Sequence, residues 1–202
     1  TLTAANTLDD ADGVGTITYQ WQRDGVDITD ATGETYTLTQ ADVGAQLTVV
    51  ASYTDGQGTP ESVTSDATLA VQNVNDVPTG GVTITGTASE GQTLTANVSA
   101  LVDADGLGDF SYQWKADGAD IPGATAASFD LTADEIGSVI TVQVSYRDQL
   151  GADESVTSEA TTAVMNVNDA PTGAVTITGT AREDQTLTAA NTLDDADGVG
   201  TI

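Results

Sequence analysis

The chain repeats itself with a period of about 93 residues, and its end restarts its beginning. Residues 1–17 read TLTAANTLDDADGVGTI and recur letter for letter as residues 186–202, and a diverged copy starts at Thr93. A repeat of this length forms one domain of a tandem array rather than a short solenoid unit. We therefore expect two small domains and the start of a third, taken from a longer array.

A second recurring motif marks the boundaries between the repeats. Residues 73–78 read NVNDVP and residues 166–171 read NVNDAP, and we call these segments the joint motifs. Proline has no N–H for a sheet, so it interrupts strand pairing there. The motifs predict a first repeat over residues 1–77 that lacks its opening strand, a complete second repeat over residues 78–170, and the first strands of a third over residues 171–202.

Apolar and polar residues alternate along both repeats. In the second repeat Ile140, Val142, Val144 and Tyr146 are spaced two apart, with polar residues between them. Side chains two apart lie on one face of a strand, so the pattern predicts half-buried strands. Turn signals separate the strands at intervals typical of β-sandwiches. We predict an all-β fold of tandem antiparallel β-sandwiches, with about seven strands per repeat.

Local signals refine this prediction. Asp24-Gly25 and Asp117-Gly118 have the composition of two-residue hairpin turns. Trp21 and Trp114 occupy the strand before each of these turns, where a sandwich places a core tryptophan. We expect both tryptophans in the core rather than on a sugar-binding surface, and we expect no helix.

The charge is strongly acidic, with 31 acidic residues against 4 basic ones and a net charge of −27. Nucleic-acid binding and adsorption to anionic membranes both need Lys and Arg, so neither partner is expected. No apolar stretch is long enough to insert into a membrane. The acidity is expected either to keep a repetitive β chain soluble or to bind cations.

The chain contains no Cys and no His. This excludes the usual zinc sites, thiol catalysis and imidazole bases. Paired carboxylates occur in glycosidases, but here the acidic motifs recur in each repeat, which argues against a single active site. We therefore expect a protein that is not an enzyme.

An Asp-Ala-Asp-Gly motif recurs at residues 10–13, 103–106 and 195–198. A D-x-D pair in a loop directs two carboxylates to one point, and calcium is bound by six to eight oxygens from carboxylates, amides and carbonyls. The alternative is a set of Asx turns that are hydrogen-bonded without a metal.

Longer segments carry a family resemblance. The series Tyr-x-Asp-x-x-Gly, Ser-Val-Thr-Ser and Asn-Val-Asn-Asp-x-Pro resembles the closing half of a cadherin-type repeat. The segment Tyr-Gln-Trp-x-x-Asp-Gly-x-x-Ile resembles the Trp-bearing strand of bacterial immunoglobulin-like repeats. Together they resemble the tandem extender repeats of large, type I secreted (RTX-type) bacterial surface adhesins, which implies that the β-sandwiches are Ig-like or cadherin-like. The resemblance implies an extracellular location at the bacterial cell surface, with calcium bound at the joints.

The resemblance also implies which residues bind the metal. The expected ligands at the first joint are Asn75, Asp76, Glu90, Asp103, Asp105 and Asp148. Those at the second joint are Asn168, Asp169, Glu183, Asp195 and Asp197, with one further ligand after residue 202. The first Asp and the second Asn of the family's joint motif are missing, as is its Asp-Arg-Glu segment. Fewer ions per joint, or weaker binding, should follow.

These features predict non-catalytic structural extender repeats of a surface adhesin, with the neighbouring repeats of the same chain as partners. One alternative is a protomer of an extracellular filament or surface layer, assembled between like chains by strand complementation. A second alternative is that the repeats themselves bind a glycan. The size of the protein in solution distinguishes the filament from the spacer: concentration-dependent polymers favour the filament, and a stable monomer favours the spacer.

Overall fold

The fold is that of a computed structural model in which residues 1–201 are described. Within these residues the chain forms fifteen β-strands and two 3₁₀ turns. All pairings between these strands are antiparallel. The all-β fold predicted from the alternation is confirmed. No helix among the described residues is long and apolar enough to cross a membrane.

Contacts along the chain define two units. The first comprises Thr1–Val77 and the short loop Ala104–Gly106, and the second comprises Pro78–Asp103 and the residues from Leu107 onward. A boundary thus falls at the proline of the first joint motif. The residues after the second joint motif are grouped with the second unit rather than separately.

The first unit contains two sheets. Its strands are β1 (Leu2–Thr3), β2 (Thr18–Arg23), β3 (Val26–Asp27), β4 (Thr35–Tyr36), β5 (Leu47–Thr54) and β6 (Pro60–Thr64). One sheet pairs β1 with β4, and the other has the order β3-β2-β5-β6. A 3₁₀ turn, Gln40–Asp42, precedes β5.

The second unit has the same plan with one strand more. Its strands are β7 (Thr83–Thr85), β8 (Thr93–Asn97), β9 (Ser111–Ala116), β10 (Ala119–Asp120), β11 (Ser128–Asp130), β12 (Ile140–Arg147) and β13 (Asp153–Thr157). They form sheets of order β11-β8-β7 and β10-β9-β12-β13, and a 3₁₀ turn, Ala133–Glu135, precedes β12. After the second joint motif, β14 (Val175–Thr178) pairs with β15 (Thr188–Asn191).

Alternate residues of both sheets form the core of the second unit. Leu94 from one sheet packs with Trp114, Val142 and Val144 from the other, and all four are fully buried. The indole N–H of Trp114 donates to the Ala126 carbonyl at 2.9 Å, so the ring is buried with its polar group satisfied. The core position predicted for the tryptophan is confirmed.

The two Asp-Gly hairpins are also confirmed. Asp24 and Gly25 have φ of 46° and 80°, and Asp117 and Gly118 have φ of 48° and 83°. Positive φ at both central residues is the type I′ turn, whose twist matches that of the strands it joins. Each turn follows the Trp-bearing strand and leads into a short strand that pairs with it, β3 with β2 and β10 with β9.

A buried carboxylate fixes the first 3₁₀ turn. Asp42 is fully buried and accepts hydrogen bonds from the Thr39 N–H at 2.7 Å and from the Arg23 guanidinium at 2.6 Å. The Tyr36 hydroxyl donates to it at 3.1 Å. Burial acts to raise the pKa of Asp42, but the hydrogen bonds from Thr39, Arg23 and Tyr36 lower it below its usual value. In the second 3₁₀ turn Glu135 accepts the N–H and the hydroxyl of Thr132, at 2.9 and 2.8 Å.

Candidate metal centre

The arrangement of β9 and β12 brings three acidic residues of the second repeat together. Asp103 and Asp105 lie in the loop before β9, and Asp148 directly follows β12. Because the two strands are antiparallel neighbours, with Ser111 opposite Ser145, the start of β9 lies beside the end of β12. The loop residues and Asp148 therefore meet at one end of the four-stranded sheet.

A glycine allows the loop to approach the strand this closely. A Cβ placed on Gly108 would lie 1.9 Å from the carbonyl oxygen of Arg147, the last residue of β12. No side chain fits at that distance. The second Gly of the segment Asp-Ala-Asp-Gly-Leu-Gly is thus required by the packing that positions the carboxylates.

The three carboxylates form a tight group. Asp103, Asp105 and Asp148 each have one oxygen within 4.8 Å of those of the other two. Asp105 is 3% exposed and Asp148 is 5% exposed, while Asp103 as a whole residue is half-buried. Like charges at this spacing repel strongly where water is scarce. The group could hold a metal ion, whose charge would offset the repulsion.

Asp148 has one bonded and one unbonded carboxylate oxygen. Its Oδ1 accepts the N–H groups of Leu150 and Ala152 at 2.9 and 2.8 Å, as in an Asx turn. Its Oδ2 is buried and is one of two buried side-chain oxygens among residues 1–201 without a hydrogen-bond partner. Buried polar atoms are nearly always satisfied, and a carboxylate oxygen without a partner beside two other carboxylates is a place where a cation could bind.

Asp105 is held by the first joint motif. The backbone N–H of Asp76 donates to its Oδ2 at 2.8 Å, and the Gln40 amide donates to its Oδ1 at 2.7 Å. The Asp76 N–H is the main cause of a lowered pKa at Asp105; burial opposes it, and hydrogen bonds from Asn73 and Gln40 add to it. Asp105 therefore keeps its negative charge despite being buried. The second buried oxygen without a partner is Oδ1 of Asn73.

Asp103 accepts a hydrogen bond from a tyrosine of β12. The Tyr146 hydroxyl donates to Oδ2 of Asp103 at 2.5 Å. Burial and this hydrogen bond raise the pKa of Tyr146 above its usual value. The first repeat has the same pair, with the Tyr53 hydroxyl 2.8 Å from Oδ2 of Asp10, and that bond raises the pKa of Tyr53 to about 12.

We expect the second unit to lose stability in alkali through Tyr146. The folded state holds the phenol proton more tightly than the unfolded state, whose pKa is about 10. This contribution is complete below that pH and is lost as the pH rises through the folded pKa. Urea unfolding at about pH 8 and pH 11 should show a smaller alkaline loss in Tyr146→Phe than in the wild type. Tyr112→Phe, elsewhere in the same sheet, is the control, and an equal loss in all three proteins would contradict the assignment.

A second acidic group lies within the second unit. Glu90, Asp169 and Asp197 also have oxygens within 4.8 Å of one another, but Asp169 and Asp197 are exposed. The N–H of Asp169 donates to Oδ2 of Asp197 at 2.7 Å, which repeats the bond between Asp76 and Asp105 one period later. Oε2 of Glu90 accepts the N–H of Val167 at 3.2 Å. Both joint motifs are therefore bonded through one N–H to the second Asp of a D-x-D loop.

The structure regroups one of the expected ligands. The resemblance places Glu90 with Asp103, Asp105 and Asp148, but Glu90 lies with Asp169 and Asp197 instead. The reason is a long-range backbone pairing: the N–H of Glu90 donates to the carbonyl of Met165, which fixes Glu90 beside the second joint motif.

The remaining expected ligands lie outside these carboxylate groups. Within the described part of the chain, neither group includes the carboxylates of Asp76, Glu183 or Asp195. Asp195 instead closes an Asx turn on the N–H of Asp197 at 2.9 Å. The side-chain amide of Asn168 donates to the backbone carbonyl of Asp169 at 2.8 Å. Asn75 also has an interaction partner in the structure.

Sequence reasoning missed three residues that contact the buried carboxylates. Asn73 belongs to the joint motif, but the resemblance emphasised Asn75 and Asp76. Tyr146 was assigned to the strand pattern, although its place two residues before Asp148 recurs in Tyr53 and Asp55. Gln40 gave no signal, because its counterpart in the second repeat is Ala133.

The arrangement therefore offers carboxylate oxygens and an amide oxygen as ligands, at one end of the four-stranded sheet. Such a donor set suits a hard divalent cation. Comparison with known proteins assigns no family, since no family model matches the chain and no curated protein sequence is similar to it.

Proposed function

We propose that the chain is a non-catalytic structural spacer of tandem repeats whose joints are stiffened by calcium. The observation that carries the proposal is the buried Oδ2 of Asp148, which has no hydrogen-bond partner and lies in a group with Asp103 and Asp105. A bound cation would satisfy this oxygen and neutralise the repulsion in the group.

Calcium is the cation that this donor set favours. Oxygens that share one calcium ion lie at most about 5 Å apart, since each is about 2.3–2.6 Å from the metal. The carboxylate oxygens of the group meet this condition, since all three lie within 4.8 Å of one another. Oδ1 of Asn73 is a further buried oxygen without a partner, on a side chain that already bonds Asp105. Water and backbone carbonyls would complete the six to eight ligands.

A backbone N–H of each joint motif connects the joint to a carboxylate of the acidic groups. Asp76 donates to Asp105 and Asp169 donates to Asp197, at 2.8 and 2.7 Å. A cation that fixes the D-x-D carboxylates also fixes the acceptor of this bond, so the joint motif is held in one conformation. Without the cation the carboxylates repel and the joint loosens. Recurrence of this N–H to carboxylate bond after one period supports a role for the array over a role for a single site.

The placement of such a spacer on a bacterial cell surface rests on the resemblance of the repeat motifs to adhesin extender repeats. The net charge of −27 supports an array whose units repel one another and stay extended in solution. In this proposal the repeats hold a distal binding domain away from the cell and carry out no chemistry themselves.

Small-angle scattering of the 202-residue chain tests the spacer directly. We expect calcium to lengthen the particle and narrow its distribution of shapes relative to EDTA, with magnesium at the same ionic strength as the control. Asp105→Ala should remove the response while circular dichroism shows the second unit still folded. An unchanged particle in calcium, EDTA and magnesium would overturn the proposal.

A further inference from the structure

A three-residue loop of the second repeat belongs by its contacts to the first unit. Ala104–Gly106 lies in the second Asp-Ala-Asp-Gly motif, yet it is grouped with Thr1–Val77. Its Asp105 is 3% exposed. Buried charges are compensated by hydrogen-bond donors or by cations. The donors of the first unit that bind Asp105 therefore decide how firmly this loop is held.

Two donors of the first unit hold the two oxygens of Asp105. The backbone N–H of Asp76, in the joint motif, donates to Oδ2 at 2.8 Å. The side-chain amide of Gln40 donates to Oδ1 at 2.7 Å. Because a carboxylate is planar, a donor on Oδ1 also fixes the direction in which Oδ2 points. The bond from Gln40 thus keeps Oδ2 in place for the N–H of Asp76.

The 3₁₀ turn before β5 gives Gln40 a firm base. Gln40 is the first residue of this turn, and its third residue is the buried Asp42. Asp42 accepts the N–H of Thr39 and the guanidinium of Arg23, at 2.7 and 2.6 Å. These bonds anchor the turn to the neighbouring strands. The half-buried side chain of Gln40 therefore starts from a fixed backbone position.

The turn itself does not need the amide of Gln40. The second repeat forms the same 3₁₀ turn, Ala133–Glu135, with Ala133 at the position of Gln40. Alanine has no side-chain donor, so the turn is stable without one. What the amide adds in the first repeat is its hydrogen bond to Asp105.

We propose that Gln40 is a positioning residue that keeps Asp105 bonded to the first joint motif when no cation is bound. In the metal-free state the carboxylates of Asp103 and Asp148 repel that of Asp105. The amide of Gln40 opposes this repulsion by holding Oδ1, so Oδ2 stays at the N–H of Asp76. A bound cation would hold Asp105 as well, so the contribution of Gln40 is largest without metal.

This inference deepens the proposed spacer and rests on it only for the effect of calcium. The hydrogen bonds that carry it need no metal, so measurements in EDTA test it by themselves. Calcium is then added in a separate arm. A missing calcium effect counts against the spacer, whereas a missing effect of Gln40 in EDTA counts against the positioning role.

Amide hydrogen exchange of the 202-residue chain in EDTA, followed by NMR, gives the test. The N–H of Asp76 is protected to the extent that its bond to Asp105 persists. We expect Gln40→Ala to speed its exchange about threefold or more, the size of coupling usual within one hydrogen-bond network. The variant should fold, since it gives the turn the residue found in the second repeat. The N–H of Asp169, bonded to Asp197, should exchange as in the wild type.

Gln46→Ala is the matched control in the same unit. The amide of Gln46 donates to the carbonyl of Thr68 at 3.1 Å, so this variant also loses one side-chain hydrogen bond. It should leave the exchange of Asp76 unchanged. A general loss of stability would instead speed exchange at Asp76 in both variants. Equal rates at Asp76 in wild type and Gln40→Ala, or equal acceleration in Gln40→Ala and Gln46→Ala, would overturn the proposal.

Gln40→Glu separates positioning from metal binding. The side chain keeps its length, but a carboxylate replaces the donor and repels Asp105. In EDTA the exchange of Asp76 should be faster than in Gln40→Ala. In calcium it should slow by the largest factor of the three proteins, because a cation can bind both carboxylates. Exchange in EDTA as slow as in the wild type would show that the donor of Gln40 is not needed and would overturn the proposal.

Discussion

Replacing Asp148 by Asn is expected to change the stability of the second unit in opposite directions with and without calcium. In EDTA the variant should unfold at a higher temperature than the wild type. Asn keeps an oxygen for the N–H groups of Leu150 and Ala152, and its amide can donate to the carboxylates of Asp103 and Asp105. The substitution thus removes a repelling charge and supplies a partner.

In calcium the order should reverse, because the wild type gains the binding free energy and the variant loses a charged ligand. At a calcium concentration tenfold above Kd the gain is about 1.4 kcal/mol. For a domain of this size that raises the unfolding temperature by about 5–10 °C. Calorimetry measures the four unfolding temperatures, those of the wild type and of Asp148→Asn in calcium and in EDTA.

The matched control is Asp55→Asn, which makes the same change at the corresponding turn of the first repeat. Asp55 accepts the N–H groups of Gln57 and Thr59 as Asp148 accepts those of Leu150 and Ala152. It belongs to neither carboxylate group among residues 1–201. The control should leave the calcium response of the second unit unchanged. If calcium changed the unfolding temperatures of Asp148→Asn and wild type by the same amount, a metal at Asp148 would be contradicted.

Gly108→Ala is the second variant with a large expected effect. Its Cβ would lie 1.9 Å from the Arg147 carbonyl, so the loop must move away from the end of β12. We expect a loss of about 1–3 kcal/mol in the second unit, the usual cost of overpacking. Displacement of the loop also separates Asp103 and Asp105 from Asp148, so the calcium response should fall with the stability.

Gly81→Ala is the control for this substitution. A Cβ on Gly81 meets no atom within 4 Å, and its backbone needs no left-handed conformation. Urea unfolding should show little change in Gly81→Ala and a clear loss in Gly108→Ala. Equal stability of the two variants would contradict the close packing of the loop on β12.

The sequence was sufficient for the features that depend on local pattern. Alternation predicted the strands around Trp114 and Val142, and Asp-Gly predicted the hairpins, because side-chain period and turn chemistry act over a few residues. The D-x-D loop identified Asp103 and Asp105. These predictions needed no knowledge of how distant segments meet.

Features that depend on pairing between distant segments could not be predicted from the sequence. The bond between Glu90 and Met165 moves Glu90 to the second acidic group, and 75 residues of chain separate these partners. Gln40 reaches Asp105 across a similar distance. The pair of Asp42 and Arg23 has no counterpart in the second repeat, where Ala116 replaces Arg23, so the repeat pattern could not reveal it. Only the packed fold places these residues together.

The most direct test of the account is calorimetric titration of the metal-free chain with calcium. We expect saturable binding with Kd of about 10⁻⁴–10⁻³ M, the range of extracellular calcium modules. One binding phase should be lost, or weakened more than about tenfold, in Asp148→Asn and retained in Asp55→Asn. The absence of saturable binding, or the same isotherm for wild type and Asp148→Asn, would contradict the claim that the buried carboxylates bind calcium.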